Sequence, residues 1–361
     1  MSRPTPPGWA VRAFLHARHV LGRSYRGSVP ATARLLEGSF GLIETKALWT
    51  AAELALADAL ASGPLTTDAL AARVHGDADA LARLLRLLVS LGYFAPAGHD
   101  RWSNNATSEL LRADHPESMR AWVLFAGSSW VGRIWDELPT SVRTGGSGTV
   151  AAFGLEYFDL MRERPETGAT FDAAMAAASR FTAPFVCAGY DFGASTRVCD
   201  VGGGTGTLLA EILVANPALH GVVFDRPEVV TGAEDELVAR GVADRCEVVG
   251  GDFFAAVPKG SDLYVLQSIV HDWDDDSAVG ILGRVREAME PGARVLLLEA
   301  VVPPTAVVHP AKYADLLMLV LTGRGRERTL EEYRTLATRA GLRLERVVSL
   351  LARDGIELAL A

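Results

Sequence analysis

Two rhythms of apolar residues divide the chain. Up to about Arg180 they recur mostly every three or four positions. Beyond Val186 they fall in short unbroken runs separated by helical stretches. The first rhythm predicts helices. Residues 47–60 are a run of good helix formers, and Gly63-Pro64 breaks the chain after them. Thr67 is placed to cap a short helix over 68–74. Asp79 is placed to cap the next, in which Leu81, Leu84, Leu85, Leu88 and Leu91 share a face until Gly92 ends it. Tyr93-Phe94 and Arg101-Trp102 flank a Pro-Ala-Gly turn and predict a small hairpin. Helix, turn, helix and hairpin together outline a winged helix.

The second rhythm predicts strands over 197–201, 221–224, 246–249, 262–270 and 294–300, with helices over 208–214, 228–240 and 277–289 between them. Such alternation specifies an α/β, Rossmann-like domain, a mostly parallel sheet covered on both faces. The tail carries two further strand-like runs around Asp354-Gly355, which predicts an antiparallel hairpin at the sheet edge. The organisation expected is an arm and first helix over 1–37, a mainly helical winged-helix-like domain over 38–115, a helical linker over 116–185 and the α/β domain over 186–361.

Charge narrows the partners. The net charge of −9 over 361 residues argues against nucleic acid and anionic membranes. A winged helix suggests DNA, yet from Pro64 to Arg112 five Arg face five Asp or Glu, where a DNA reader needs a basic stripe. A structural or dimerising role fits that balance better than a ligand-sensing regulator does. The first 36 residues hold six Arg and no acid; Pro4, Pro6, Pro7 and Gly8 open them as a flexible arm, not a secretory signal. Cys187, Cys199 and Cys246 lack metal or redox spacing and read as free thiols of a cytoplasmic protein. No run approaches the ~20 apolar residues a membrane span needs.

The stretch VCDVGGGTG follows the first strand of the α/β domain. A glycine-rich loop there is a cofactor site. The dinucleotide fingerprint GxGxxG fails, because Thr207 stands where its third glycine belongs. What remains is Gly202, Gly204 and Gly206 after Asp200, the form this turn takes in S-adenosylmethionine (SAM) methyltransferases. Asp200 is then placed to meet the cofactor's amino group. Asp225, with Arg226 beside it, stands where a carboxylate binds both ribose hydroxyls. Asp252 and Phe253 in GDFF suit the adenine. Three such features at the ends of three successive strands converge on one crevice.

LQSIVHDWDDD follows the fourth strand. With DVGGGTG, the acid of VVFDRP, GDFF and Glu327-Arg328-Thr329, it makes the chain resemble the caffeate-type and bacterial secondary-metabolite O-methyltransferases, most specifically over 198–335. The resemblance implies a SAM-dependent enzyme with an N-terminal winged-helix dimerisation domain, working as a homodimer on a small aromatic hydroxyl and needing no metal. It makes His271 the general base, flanked by Glu299 and Glu327. The chemistry agrees: a phenol (pKa about 10) must lose its proton to attack well, and histidine titrates in a useful range. Glu299 closes four apolar residues, an expensive place for an unpartnered carboxylate. For Glu327, a surface ion pair with neighbouring Arg side chains is the rival reading.

Asp272 is expected to shape the site, and Trp273 to pack. Asp274, Asp275 and Asp276 read as the cap of the next helix, not as metal ligands. Gln267 departs from the family, which often has Lys there, and puts one cofactor contact in doubt. Met175 and Met318 fall where the family lines its acceptor pocket, although core packing is equally open to them; Phe153, Trp130 and Trp135 are weaker candidates. Chemistry other than methylation on the same fold, such as hydroxylation, decarboxylation or cyclisation, is an alternative that the intact HDW disfavours.

Overall fold

The computed structural model describes Ala13, Ala17 and residues 20–25, 27–350 and 353–361. Most of the Arg-rich arm and the two residues before Arg353 therefore lie outside the described residues. The chain forms two compact units. One comprises Arg23–Arg133 with Met161–Ala178. The other comprises Ile134–Leu160 and Ser179–Ala361, with the described part of Met1–Gly22.

In the first unit the predicted helices form with shifted ends. The run over 47–60 is interrupted: one helix spans Gly41–Glu53 and a short one Leu56–Ala59, because Ala55 takes a left-handed φ of 51°. Thr66, not Thr67, caps helix Thr67–Val74, its hydroxyl accepting from the Ala69 amide. Thr67 is buried and accepts a bond from Trp102 Nε1 at 2.9 Å instead. Likewise Asp77, not Asp79, caps helix Ala78–Ser90. Gly92, at φ 78°, ends it as expected. Strands β1 (Leu65–Thr66), β2 (Ala95–Pro96) and β3 (Arg101–Ser103) make a small sheet in the order β1-β3-β2. Leu70, Leu81, Leu85, Leu88 and Phe94 fill the core between these elements.

The second unit is built on seven strands: β4 (Arg197–Val201), β5 (His220–Asp225), β6 (Cys246–Gly250), β7 (Leu263–Gln267), β8 (Arg294–Glu299), β9 (Leu342–Ser349) and β10 (Asp354–Leu360). Their order is β6-β5-β4-β7-β8-β10-β9. The first five are parallel, and β10 pairs antiparallel with both β8 and β9. The predicted hairpin is thus present, with Asp354-Gly355 inside β10 and not at the turn. Alternate residues serve opposite faces. Tyr264, Leu266, Val295 and Leu297 join one core with helices Asp275–Ala288 and Leu330–Arg339. Leu263, Val265, Leu296 and Leu298 join the other with helices Thr207–Ala215 and Ala233–Ala239. Strands buried on both sides read as continuous apolar runs, as these do.

The strand order reverses at β4, which lies between β5 and β7. In an open α/β sheet that reversal opens a crevice at the carboxyl ends of the strands. The glycine turn leaves β4 and the HDW turn leaves β7 on either side of it.

Candidate active site

Gly202, Gly204 and Gly206 have φ of 74°, 58° and 77°, a region that side chains disfavour. Their surroundings differ. A Cβ on Gly202 would overlap Ile269 Cδ1, and one on Gly206 would meet Val223 Cγ2 at 3.0 Å, so both answer to protein neighbours. A Cβ on Gly204 would meet nothing within 4 Å. That glycine faces open space, and its amide donates to Asp225 Oδ2 at 2.9 Å. Asp225 Oδ1 accepts the Arg226 amide at 2.7 Å, and the Arg226 guanidinium lies 6.0 Å from the Phe158 ring centre. Burial raises the Asp225 carboxyl, against the opposing pull of the Arg226 and Gly204 amides.

Asp200 is buried, and its Oδ2 has no hydrogen-bond partner. Burial, then the nearby Asp225 charge, pushes its pKa up to about 7. A buried carboxylate oxygen without a donor is costly, and a cationic or N–H group of a ligand would satisfy it. Asp252 is exposed, its Oδ1 holding the Phe254 amide at 2.8 Å. Phe253 packs against Phe254, and the Trp273 ring lies edge-on to both. Gln267, at the end of β7, donates to Ser179 Oγ at 3.0 Å while its Oε1 is left without a partner. Asp200, Asp225 and Asp252 thus stand at the ends of three adjacent strands.

Across the crevice, β7 stops at Gln267, short of the expected 270, because Ser268 turns the chain with a left-handed φ of 55°. A single 3-10 turn, Val270–Asp272, then carries His271. Glu299 Oε1 accepts the amides of Ile269 and Val270 at 3.1 and 2.9 Å. His271 Nδ1 donates to Glu327 Oε1 at 2.8 Å. Glu327 is 3% exposed, which removes the surface ion-pair reading. Glu299 Oε2 stays 3.7 Å from Nδ1, so this carboxylate bonds the backbone of the turn and not the ring. With Nδ1 protonated toward Glu327, Nε2 is the free nitrogen, 3.6 Å from Asp272 Oδ1.

Burial depresses the His271 pKa, but Glu299, Glu327 and Asp272 outweigh it and push it up to about 10. Burial drives Glu299 up to about 7 and Asp272 up to about 6, in both cases against the pull of His271. The ligand-type atoms of His271, Glu299 and Glu327 lie within 4.8 Å of one another. The ring's hydrogen bond to Glu327 and the bonds of Glu299 to the turn's amides draw the three together. Asp274 caps helix Asp275–Ala288 through the Ser277 amide, as expected.

The acceptor candidates divide between the units. Trp130, packed on Phe125, and Met175 lie in the first. Phe153, the buried Met318, Asp272 and Trp135 lie in the second. Sequence reasoning missed two neighbours of the site. Phe158 stacks on Trp273 at 5.8 Å, and no motif marks it. Arg328 is fully buried; it was read only as part of a motif flanking Glu327.

Known protein families match the chain. The O-methyltransferase domain matches residues 135–343, and the O-methyltransferase dimerisation domain residues 36–114. The chain belongs to the O-methyltransferase family. This O-methyltransferase is 37% identical over 327 residues to the mitomycin biosynthesis 6-O-methyltransferase of Streptomyces lavendulae, spanning 90% of this chain and 92% of that one. It is 34% identical over 323 residues to the phenazine-1-carboxylate N-methyltransferase of Pseudomonas aeruginosa, spanning 90% and 95%. Among solved structures, LaPhzM superposes with a TM-score of 0.87 at 36% identity, covering 92% of this chain and all of that one. The neocarzinostatin-biosynthesis O-methyltransferase, solved with SAM and 2-hydroxy-5-methyl naphthoic acid, superposes at 0.72 with 35% identity, covering 88% and 96%. The enzyme is a SAM-dependent O-methyltransferase of secondary-metabolite biosynthesis. The unpartnered Asp200 oxygen and the open face of Gly204 fit that cofactor.

Proposed function

We propose that the enzyme methylates a phenolic hydroxyl of a small aromatic metabolite, with His271 as general base. SAM supplies a methyl activated by a sulfonium. Asp200 would bind its amino group, Gly204 would let the main chain lie against it, Asp225 beside Arg226 would take the ribose hydroxyls, and Asp252 and Phe253 would hold the adenine. Gly202 and Gly206 keep the turn in shape, and Gln267 borders it. The observation that carries the reading is the 2.8 Å bond from His271 Nδ1 to the buried Glu327, which leaves Nε2 for an acceptor proton.

A phenol must lose its proton to attack well. The surrounding carboxylates raise the proton affinity of His271, and Glu327 would stabilise the imidazolium that forms when the neutral ring takes the acceptor's proton. Glu299 fixes the backbone from which the ring projects. Met318 and Phe153 are proposed acceptor contacts, with Asp272 beside the base. Most of the acceleration would come from alignment and exclusion of water.

Helix Ala31–Ser39 buries no side chain, and Leu35, Leu36, Phe40, Leu42 and Ile43 are exposed. We propose that a second copy of the chain covers this face through the winged-helix-like region, 38–115, with 116–185 as linker and 186–361 as cofactor domain. No described helix is long and apolar enough to cross a membrane, and we propose a cytoplasmic enzyme that does not bind nucleic acid. Incubation with SAM and a panel of phenols and aromatic amines, read by mass spectrometry, tests the acceptor class. An added methyl on phenols supports the reading; methylation at nitrogen alone, which the phenazine relative's name states, overturns it.

A further inference from the structure

Arg328 has all five of its N–H groups engaged inside the protein, at 0% exposure. Nε and Nη2 donate to Asp275 Oδ1 at 3.0 and 2.8 Å. Nη1 donates to the carbonyls of Val270 at 2.9 Å and Arg326 at 3.4 Å. Nη2 also donates to the Trp273 carbonyl at 2.7 Å. The guanidinium therefore grips the His271 turn on both sides, one residue before the histidine and two after it. Asp275, its carboxylate partner, opens the helix that follows the turn.

The rest of the turn is held from other directions. Glu299 takes the amides of Ile269 and Val270. The Arg326 amide donates to the His271 carbonyl at 2.7 Å. The Arg328 carbonyl accepts the Val302 amide at 2.9 Å, which ties the arginine's own backbone to the segment after β8. Any displacement of the turn would strand buried carbonyls and leave a guanidinium charge underpaired, each a costly outcome.

We infer that Arg328 is a positioning residue for methyl transfer, fixing the backbone of the His271 turn while Glu327, beside it in sequence, fixes the ring. The inference rests on His271 being the base. Lysine cannot replace the fork, since a single ammonium has three donors and no planar geometry. A base displaced by an ångström or so can cost about 100-fold in rate. The side-chain hydrogen bonds of Arg328 go to Asp275, Val270, Arg326 and Trp273, none of them on the proposed cofactor loops after β4, β5 and β6.

The test compares R328K and D275N with wild type and with H271N, with kcat expressed per SAM-binding site so that unfolded protein does not count. R328K is expected to lower kcat by about 30–100-fold, with the SAM dissociation constant and the KM for SAM within about twofold of wild type. D275N, which keeps the guanidinium and weakens one partner, should fall between R328K and wild type. R328Q, without charge or fork, should be no more active than R328K. A kcat per site within about twofold of wild type in both R328K and D275N overturns the inference, as does a loss of SAM affinity matching the loss of kcat. If R328K does not fold, D275N alone decides. Full turnover by H271N would instead remove the base reading, whatever the arginine does.

Discussion

In its proposed role, Asp200 pits stability against binding within one side chain. Its folded pKa, about 7, lies above the unfolded value of roughly 3.9. A raised carboxyl contributes stability that is fully present below the unfolded pKa and lost as pH rises through the folded one. In the ligand-free enzyme, D200N should therefore raise the unfolding temperature, with a gain that grows from pH 5 to pH 8 and reaches on the order of 2 kcal/mol. The same variant should bind SAM at least about tenfold more weakly, since it replaces a charge-assisted bond with a neutral one. Thermal scans at the two pH values and calorimetric titration check both halves. A D200N protein that is less stable at pH 8 than wild type would show the carboxylate to be satisfied from within.

The glycine turn and the HDW turn belong to different strands, yet one side chain joins them. Ile269 occupies the space that a Cβ on Gly202 would need. G202A should destabilise the enzyme by about 2–3 kcal/mol through its left-handed φ and this overlap. I269V removes the overlapping methyl, so the double variant should recover part of the loss, with a coupling above about 0.5 kcal/mol in denaturant unfolding. Strict additivity would mean the turns do not share that contact. The parallel core was legible in sequence because strands buried on both faces have no polar residues to confuse the pattern. Helix starts were less so: Thr66 and Thr67, or Asp77 and Asp79, are chemically equivalent caps, and tertiary contacts such as Trp102 on Thr67 decide between them. The end of β7 was hidden for a similar reason, since nothing in Ser268 announces a left-handed residue. Arg328 was invisible as a buried group because arginine is so seldom buried, and its partners on and after the His271 turn lie 53 to 58 positions away.

For the whole molecule, the exposed apolar side chains of residues 35–43 matter most. Leu35, Leu36, Phe40, Leu42 and Ile43 stand exposed on the face that the proposed dimer would cover. Sedimentation should give about twice the chain mass, and L36E/F40E should shift the enzyme toward monomer by at least about tenfold in dissociation constant. A wild-type monomer at micromolar concentration would contradict this. The charge of residues 64–112 bears on one partner only: five acids against five bases leave no basic stripe for DNA, and they say nothing of the apolar face.

The proposed chemistry turns on one nitrogen, Nε2 of His271, whose ring is held through Nδ1 by the buried Glu327. The direct test is SAM affinity and methyl transfer measured side by side in H271N. The account predicts a dissociation constant within about threefold of wild type and a turnover at least about 100-fold lower, the scale of losing a general base. Turnover close to wild type in H271N, with SAM bound as before, would contradict it.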